Sequence, residues 1–373
     1  MSILLSADIG GTKTILQMSS FESGALSTIK VKHYKSAQWQ SFESLLDDFL
    51  QTPHDVITTT TSHANNAISA CFAVAGPLTH ISSQKKNQQY TKPKEQTNND
   101  DIIVNVTNLP WQLSRNALIN QYQFSHLAFI NDFEAIAYAT EQLNEDDLFT
   151  LQTGLQLDNT PDTITGSSAF IGAGTGLGQA ISIFDGLDYR VIRTEGGHCD
   201  FAPNSDFEVA LYQFLNQKYT HVSYERLLSG DGLYNIYQFF LQICHSNKTI
   251  IKEKNIIESH HDKAEAISRE ANMNPDGLSA RTLSLFFRIY GAQAGNLALT
   301  CLPSGGIFIA GGIALKNIEY MKTSDFLLCF NAKGRMQPLM ENIPVKIITN
   351  AQAGLLGATN VALRQIHKTS QKH

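Results

Sequence analysis

The chain has 373 residues, of which 42% are apolar and 17% charged, and its formal net charge is −6 at pH 7. This length exceeds what one hydrophobic core usually serves, so two domains are expected, and the composition excludes a disordered or fibrous protein. The sequence pI near 6.0 argues against a nucleic-acid-binding surface, which would need clustered lysine and arginine.

Three features of the sequence indicate the cellular location of the protein. The sequence opens almost directly on a strand-like run, residues 3–9, with no charged and apolar leader before it. The longest apolar helical stretch, 283–302, carries Arg288, Gln293 and Asn296 and is therefore not typical of a membrane span. The five cysteines are scattered without metal-ligand or redox spacing. We expect a soluble, cytoplasmic protein without nucleic-acid or membrane partners.

The first part of the chain reads as an α/β pattern with one polar interruption. Residues 3–19 predict strand, turn and strand, Ser41 caps a helical apolar stripe, and the apolar run 68–75 predicts a strand buried on both faces. Residues 82–101 are polar with almost nothing to bury, so we interpret them as an exposed insertion loop that is dispensable for folding.

Strands and helices continue to alternate to the end of the chain. A helix is predicted near 112–122, followed by a short strand, 127–130, that ends at Asn131-Asp132. Alternation of this kind predicts a mostly parallel sheet in each half. The remaining predicted elements are strands at 168–173, 178–184, 306–310 and 345–349, and helices near 205–217, 232–245, 279–301 and 354–367.

The first glycine turn, residues 8–14, places a carboxylate at a strand end before two glycines and a hydroxyl. Gly10 and Gly11 would let the backbone approach a phosphate, with Thr12 and Lys13 as added donors. Asp8 could hold a hydrated magnesium ion. A plain hairpin with a Gly-Gly turn explains the same residues, and no GxxxxGK[ST] loop is present as another nucleotide site.

Two more glycine-rich segments lie in the second half. The second glycine turn, residues 172–178 (GAGTGLG), includes Gly174 and Thr175 and is followed by a strand-like alternation, so a hairpin that contacts phosphate is favoured over a dinucleotide-binding turn. The third glycine turn, residues 305–313, ends an apolar strand at Gly311-Gly312, where an adenine ring could lie against bare backbone. Close packing of a helix on the strand would explain those two glycines equally well.

Five polar residues form the remaining candidates. Asn131 and Asp132 follow a buried strand, where α/β sheets bind ligands, although both are also common helix caps. Glu195 and His198 flank two glycines in a turn, which suits a polyol but also fits a surface loop. Glu225 falls in the first turn of a short helix, 223–228, where a negative charge is favourable without any function.

Taken together, the chain resembles the bacterial-type glucokinase family, within the ATPase clan that includes hexokinases and actin. The resemblance covers nearly the whole length, and the number and order of its motifs make a chance match implausible. The motifs are ADIGGTKT (7–14), AVAGP (73–77), TNLPW (107–111), FINDFEAIAYA (129–139), GAGTGLG (172–178), EGGHCDFAPNS (195–205), YERLLSGDGL (224–233), GNLAL (295–299), GGIFIAGGI (305–313) and GLLGA (354–358).

The resemblance implies a function and a role for each candidate. The activity would be ATP-dependent phosphorylation of D-glucose with Mg²⁺, and Asp132 would be the general base. Asn131, Asp132, Glu195, His198 and Glu225 match the positions that hold the glucose hydroxyls. The positions that would hold the nucleotide are Asp8, Gly10, Gly11, Thr12, Lys13, Gly174, Thr175, Gly311 and Gly312, with Asp8 on Mg²⁺ through water.

The resemblance also implies an architecture, namely two actin-like, ribonuclease-H-like α/β domains with mixed sheets flanked by helices and a cleft between them. The small domain would be 1–131 plus 354–373, the large domain 132–353, and the protein a homodimer. Two alternatives stay open: a kinase of another hexose or an amino sugar on the same scaffold, and a catalytically silent sugar sensor. Sensors of this kind usually carry a DNA-binding helix-turn-helix, for which no room is expected before the first strand.

Overall fold

The structure is a computed structural model, and it describes residues 1–51, 68–81, 101–154, 166–245 and 248–370. Residues 82–100 of the predicted insertion lie outside the described residues, whereas Asp101 begins a strand. The chain divides into two compact units: unit 1 comprises residues 1–143 and 351–373, and unit 2 comprises residues 144–350. Each unit is described by itself.

The described residues form the following elements in chain order. The strands are β1 (Ser2–Ile9), β2 (Lys13–Glu22), β3 (Ala25–Lys35), β4 (Ile68–Val74), β5 (Leu78–Ile81), β6 (Asp101–Asn105), β7 (Gln112–Ser114), β8 (His126–Asn131), β9 (Leu148–Gln152), β10 (Ser168–Ala173), β11 (Leu177–Phe184), β12 (Tyr189–Thr194), β13 (Ile307–Ala310) and β14 (Val345–Ile348). The helices are α1 (Phe42–Gln51), α2 (Arg115–Tyr122), α3 (Asp132–Ala139), α4 (Asp206–Asn216), α5 (Gly230–Ile243), α6 (Lys248–Ser259), α7 (Lys263–Met273), α8 (Leu278–Cys301), α9 (Gly312–Lys316), α10 (Ile318–Thr323), α11 (Phe326–Asn331), α12 (Gln337–Met340) and α13 (Ala353–Ser370).

Unit 1 is built on a five-stranded mixed sheet in the order β3-β2-β1-β4-β8. Strands β1, β4 and β8 are parallel, whereas β2 and β3 join antiparallel through a two-residue turn at Ser23-Gly24. Both turn residues have left-handed φ, 52° and 83°, which is the geometry that matches the twist of a hairpin. The prediction of a mostly parallel sheet is therefore wrong for this half, because the hairpin at one side adds two antiparallel pairings.

Helix α13 covers one face of this sheet and brings the end of the chain back to its beginning. Ser6 on β1 shares a 2.8 Å hydrogen bond with Thr359, and the Ser69 hydroxyl on β4 donates to the Ala362 carbonyl at 2.9 Å. Helix α13 also packs closely against α3. The first domain was expected to end at residue 131, but these contacts group residues 132–143 with unit 1 instead.

Unit 2 contains a six-stranded mixed sheet in the order β12-β11-β10-β13-β14-β9, with helices packed against it. Strands β10, β13 and β14 are parallel, and the remaining pairings are antiparallel. The 24-residue helix α8 lies in the core. The backbone amides of Leu278 and Ser279, at its first turn, donate to the buried carboxylate of Glu253 at 3.1 and 2.6 Å. The prediction of a mostly parallel sheet is therefore wrong for this half as well, because three of the five strand pairings are antiparallel.

Two local differences from the predicted elements have clear causes. The predicted helix at 112–122 is strand β7 followed by α2, because residues 112–114 pair with β6 in a separate three-stranded sheet. The short helix predicted at 223–228 is a 3₁₀ turn, Tyr224–Arg226, that precedes α5. Of the helices in the described part of the chain, none is both long and apolar enough to cross a membrane.

Candidate active site

In unit 1, three candidate residues lie at one edge of the sheet. Asp8 is the next-to-last residue of β1, and Asn131 is the last residue of β8. Strand β4 lies between them, with Val74 in register with both Ile9 and Asn131. Because the three strands are parallel, their carboxyl ends meet at the edge where α/β sheets bind ligands. Asp132 begins α3 just beyond this edge, and its charge, after burial, is the second cause that raises the pKa of Asp8.

Asn131 caps helix α3 as its residue type suggested. Its Oδ1 accepts the Phe133 amide at 2.9 Å, and the Glu134 carboxylate accepts the Asn131 amide at 3.3 Å, which completes a capping box. The cap interpretation therefore holds for Asn131 but not for Asp132, which is already the first helical residue. The Asp132 Oδ1 also lies 2.9 Å from the Phe133 nitrogen. Capping uses the oxygen of Asn131 and leaves its amide nitrogen as the group suited to donate to a hydroxyl.

The first glycine turn is closed by a hydrogen bond from the Gly10 amide to the Lys13 carbonyl at 3.0 Å. Ser36, the residue directly after β3, supports this turn, because its hydroxyl donates to the Gly10 carbonyl oxygen at 2.7 Å. A Cβ at position 11 would lie 2.7 Å from the Thr107 carbonyl oxygen, so close packing alone requires Gly11 to be glycine. Thr12 and Lys13 are exposed, and their side chains can reach a ligand.

Asp8 is the carboxylate most strongly affected by its surroundings. Burial, followed by the charge of Asp132, raises the pKa of Asp8 from 3.8 to about 6, and Lys13 offsets this only partly. Both effects penalise the ionised form. A divalent cation held near this carboxylate would oppose both, so the arrangement fits a magnesium site.

Asp8→Asn is expected to stabilise the ligand-free protein at pH 7–8. Because the folded-state pKa of Asp8 lies above its unfolded value, its contribution to stability is greatest below about pH 4 and falls as the pH rises to about 6. An amide of the same shape never ionises and avoids that loss, which is on the order of 1–3 kcal/mol. Thermal melts without Mg²⁺ or nucleotide at about pH 4 and pH 8 will measure this. The exposed Asp276→Asn serves as the control, and an equal gain at both pH values would contradict the cause given.

In unit 2, the second glycine turn is held from both sides. Strands β10 and β11 form the hairpin, and the Gly174 amide donates to the Gly176 carbonyl at 2.8 Å within the turn. From outside, the Gly230 amide donates to the Gly174 carbonyl at 2.9 Å, and Glu225 Oε2 accepts the Leu177 amide at 2.9 Å. Among the described residues, no heavy atom lies within 4 Å of a Cβ built on Gly174, so the backbone there is open to a ligand.

Glu195 directly precedes a 3₁₀ turn, Gly196–His198, that ends with His198 and packs on β11. Both side chains are exposed, and His198 Nδ1 lies 3.9 Å from Glu225 Oε1. A Cβ on Gly197 would overlap the Leu177 carbonyl oxygen, which explains one glycine of this pair by packing. The structure therefore brings together the second glycine turn, His198 and Glu225, three features separated along the chain.

The third glycine turn lies beside the second. Ala310 at the end of β13 is in register with Gly172 on β10, and Gly311 has a left-handed φ of 89°. A Cβ on Gly311 would overlap the Ala173 carbonyl oxygen, so both conformation and packing require this glycine. Gly312, the first residue of α9, meets no described heavy atom within 4 Å of an added Cβ and leaves room for a flat ligand.

Sequence reasoning missed two residues that support this cluster. The Ser229 hydroxyl donates to the Glu225 carbonyl at 2.7 Å and accepts the Gly232 amide at 3.0 Å, which caps α5. A serine directly before an apolar helical stripe is a cap signal and could have been recognised. His221 Nε2 lies 2.9 Å from the His198 carbonyl oxygen, and its Nδ1 lies 3.2 Å from Asp200. No sequence pattern predicts that contact, because a strand pairing between residues 199–201 and 222–224 creates it.

The candidate residues differ in how much room they leave for a ligand. The described residues contain no group of three or more His, Cys, Asp or Glu side chains placed to hold a metal ion. Open backbone at Gly174 and Gly312 suits phosphate and a flat ring, whereas Gly11 and Gly311 are explained by packing.

Comparison with known proteins identifies the family. The glucokinase family model matches residues 5–101 and 95–365. A glucokinase of Trichormus variabilis is 39% identical, over 98% of this chain and all of that protein. The crystal structure of a glucokinase from an Antarctic psychrotroph aligns over 98% of this chain and 99% of its own with a TM-score of 0.73 and 27% identity. A glucokinase from Balamuthia mandrillaris, crystallised with glucose, has a TM-score of 0.65, 21% identity and coverage of 97% and 94%.

The two α/β units with their mixed sheets and glycine turns define the sugar-kinase class of the actin-like ATPase fold, as the motifs predicted. The chain belongs to the glucokinase family. The predicted family and fold class are thereby confirmed, whereas the roles of the individual site residues stay predictions.

Proposed function

We propose that the protein transfers the γ-phosphoryl group of ATP to D-glucose and releases glucose 6-phosphate and ADP. Membership of the glucokinase family supports the reaction class. The observation that carries the proposal is the contact of Glu225 Oε2 with the Leu177 amide at 2.9 Å, because it joins a predicted sugar-binding residue to a predicted phosphate turn.

In this proposal Asp132 is the general base. As the oxygen of the sugar's hydroxymethyl group attacks the γ-phosphorus, its proton passes to an Asp132 carboxylate oxygen. The bond from that phosphorus to its bridging oxygen breaks, and ADP leaves with the electron pair. The position of Asp132 beside a ligand-binding sheet edge supports this role, since phosphoryl transfer demands mainly positioning and charge neutralisation.

The other candidates bind and orient the substrates. Asn131, Glu195, His198 and Glu225 contact the remaining hydroxyls, and their mixture of amide, carboxylate and imidazole suits a polyol. Thr12, Lys13 and the backbone of Gly10, Gly11, Gly174 and Thr175 donate to phosphate oxygens, while Gly311 and Gly312 receive the adenosine. Mg²⁺, when bound, neutralises phosphate charge, and Asp8 would hold its water shell.

A coupled assay of ADP release against a panel of sugars tests the proposal. Glucose with MgATP is expected to give the highest kcat/KM, and the product should be the 6-phosphate. If mannose or an N-acetylated amino sugar is preferred, the scaffold serves another sugar. If glucose binds without any ADP release, the protein is a silent sensor. Failure of every hexose to stimulate ADP release by folded protein would refute the enzyme proposal.

Gly174→Val is expected to raise the KM for ATP by about tenfold, equivalent to about 1.4 kcal/mol of lost binding, while the KM for glucose changes little. The added side chain would enter the open space where phosphate must approach, and Gly174→Ala should give a smaller effect of the same kind. Steady-state kinetics with each substrate varied in turn will measure both. Unchanged ATP kinetics in a folded Gly174→Val variant would remove this turn from the site.

We also propose a homodimer, which the family resemblance implies, and a cytoplasmic location, which the scattered cysteines without disulfide or metal-ligand spacing favour. Sedimentation of the purified protein at several concentrations tests the dimer, and a monomer throughout would contradict it.

A further inference from the structure

We propose that Glu225 is a positioning residue for the second glycine turn, so that sugar binding and nucleotide binding are coupled through one side chain. This inference rests on the proposed function and adds a role that the sugar contact alone does not include. The evidence lies entirely within unit 2.

The clamp segment, residues 225–230, holds the second glycine turn at two points. At one end, Glu225 Oε2 accepts the Leu177 amide at 2.9 Å. At the other end, the Gly230 amide donates to the Gly174 carbonyl at 2.9 Å. The turn is therefore anchored to the clamp segment at both of its ends, residues 174 and 177.

Further hydrogen bonds tie the clamp segment to helix α5. The Ser229 hydroxyl donates to the Glu225 carbonyl at 2.7 Å while it caps helix α5, so the backbone of Glu225 is tied to a 14-residue helix. The Glu225 carboxylate lies directly against the turn, because a Cβ on Gly176 would lie 2.5 Å from Glu225 Oε2. The carboxylate and the turn are thus in direct contact.

The two carboxylate oxygens of Glu225 face different features. Oε2 contacts the glycine turn, whereas Oε1 lies 3.9 Å from His198 Nδ1, on the side of the predicted sugar-binding residues. A sugar hydroxyl that binds this carboxylate would hold it in place, and the turn would then be held in the arrangement that receives phosphate. By thermodynamic reciprocity, bound nucleotide must strengthen sugar binding by the same factor.

Binding measurements with one substrate at a time separate this role from a plain sugar contact. In Glu225→Ala, the Kd for MgADP without any sugar is expected to rise about tenfold, because a charged acceptor of the turn amide is lost. Glu225→Gln keeps an oxygen at that place and should restore most of the nucleotide affinity. Glu195→Ala removes another carboxylate that is predicted to bind the sugar. Among the described hydrogen bonds, none joins the Glu195 side chain to the turn, so this variant should keep the Kd for MgADP within twofold of the parent.

Gly176→Ala tests the coupling from the other direction. The new methyl group should displace the Glu225 carboxylate and weaken glucose binding without nucleotide, although position 176 lies in the phosphate turn. If Glu225→Ala folds, by its circular dichroism and melting curve, and binds MgADP as the parent does, the positioning role is wrong. If it does not fold, unchanged glucose affinity in Gly176→Ala has the same meaning. If the parent protein binds neither MgADP nor glucose, the proposed function itself fails.

Discussion

Asp132→Asn is expected to lower the turnover number by about 10²–10⁴, which corresponds to roughly 3–5 kcal/mol of transition-state stabilisation. The amide keeps the size of the side chain but has no basic site that could accept the hydroxyl proton. A moderate rise in the KM for glucose is compatible with the proposal, because the carboxylate would also contact the sugar. Steady-state kinetics will measure both constants.

The fold should survive this change, and the structure gives the reason. Asn131, not Asp132, caps helix α3, and its capping box with Glu134 is untouched. The variant loses a negative charge at a helix N-terminus, worth about 0.3–1 kcal/mol, but it also removes one cause of the raised pKa of Asp8. Thermal melts should therefore show only a small shift.

Glu134→Gln is the matched control for Asp132→Asn. It removes one negative charge from the same helical turn and keeps an oxygen that can accept the Asn131 amide. Its turnover number should stay within a few-fold of the parent. If Asp132→Asn also stays within a few-fold, Asp132 is not the base.

Gly357→Ala is expected to destabilise unit 1 by about 2 kcal/mol or more. A Cβ at position 357 on α13 would overlap the carbonyl oxygen of Ala135 on α3, so the two helices must separate. Alanine gains about 1 kcal/mol of helix propensity over glycine, whereas overpacking of a core costs about 1–3 kcal/mol and more when backbone must move. The overlap with backbone therefore outweighs the gain in propensity.

The expected measurement is a fall of several degrees in melting temperature together with reduced turnover, because α3 carries Asp132 on its first turn. Gly230→Ala is the control: it is also helical, and its Cβ would meet other atoms only at 3.7 Å, an ordinary contact distance. The prediction is wrong if both variants melt at the parent's temperature.

The strands and turns that short-range patterns define were predictable from the sequence. The hairpin of β1 and β2, the buried strand β4 and the hairpin of β10 and β11 all appear where apolar runs and glycines indicated. The capping box of α3 could also have been predicted from the sequence, since Asn131 and Glu134 are three residues apart as this motif requires. These features depend on residues near each other in the chain.

Contacts between distant residues were not predictable. Residues 112–114 look helical until their pairing with β6 is known, and nothing local shows that α3 packs on α13 rather than in the second domain. The contact of Glu225 with Leu177 joins positions 48 residues apart. The motifs identified the candidate residues, but only the fold explains which glycines serve packing and which leave open space.

The place of helix α13 in unit 1 has a consequence for synthesis on the ribosome. Unit 2 is one continuous segment that is synthesised, and leaves the ribosome, before α13 does. Until α13 arrives, the buried hydroxyls of Ser6 and Ser69 lack the partners it supplies, and the apolar side chains of Leu4 and Cys71 lack their cover. The part of the molecule translated first is therefore the part completed last, and it depends on the nascent chain staying soluble through that delay.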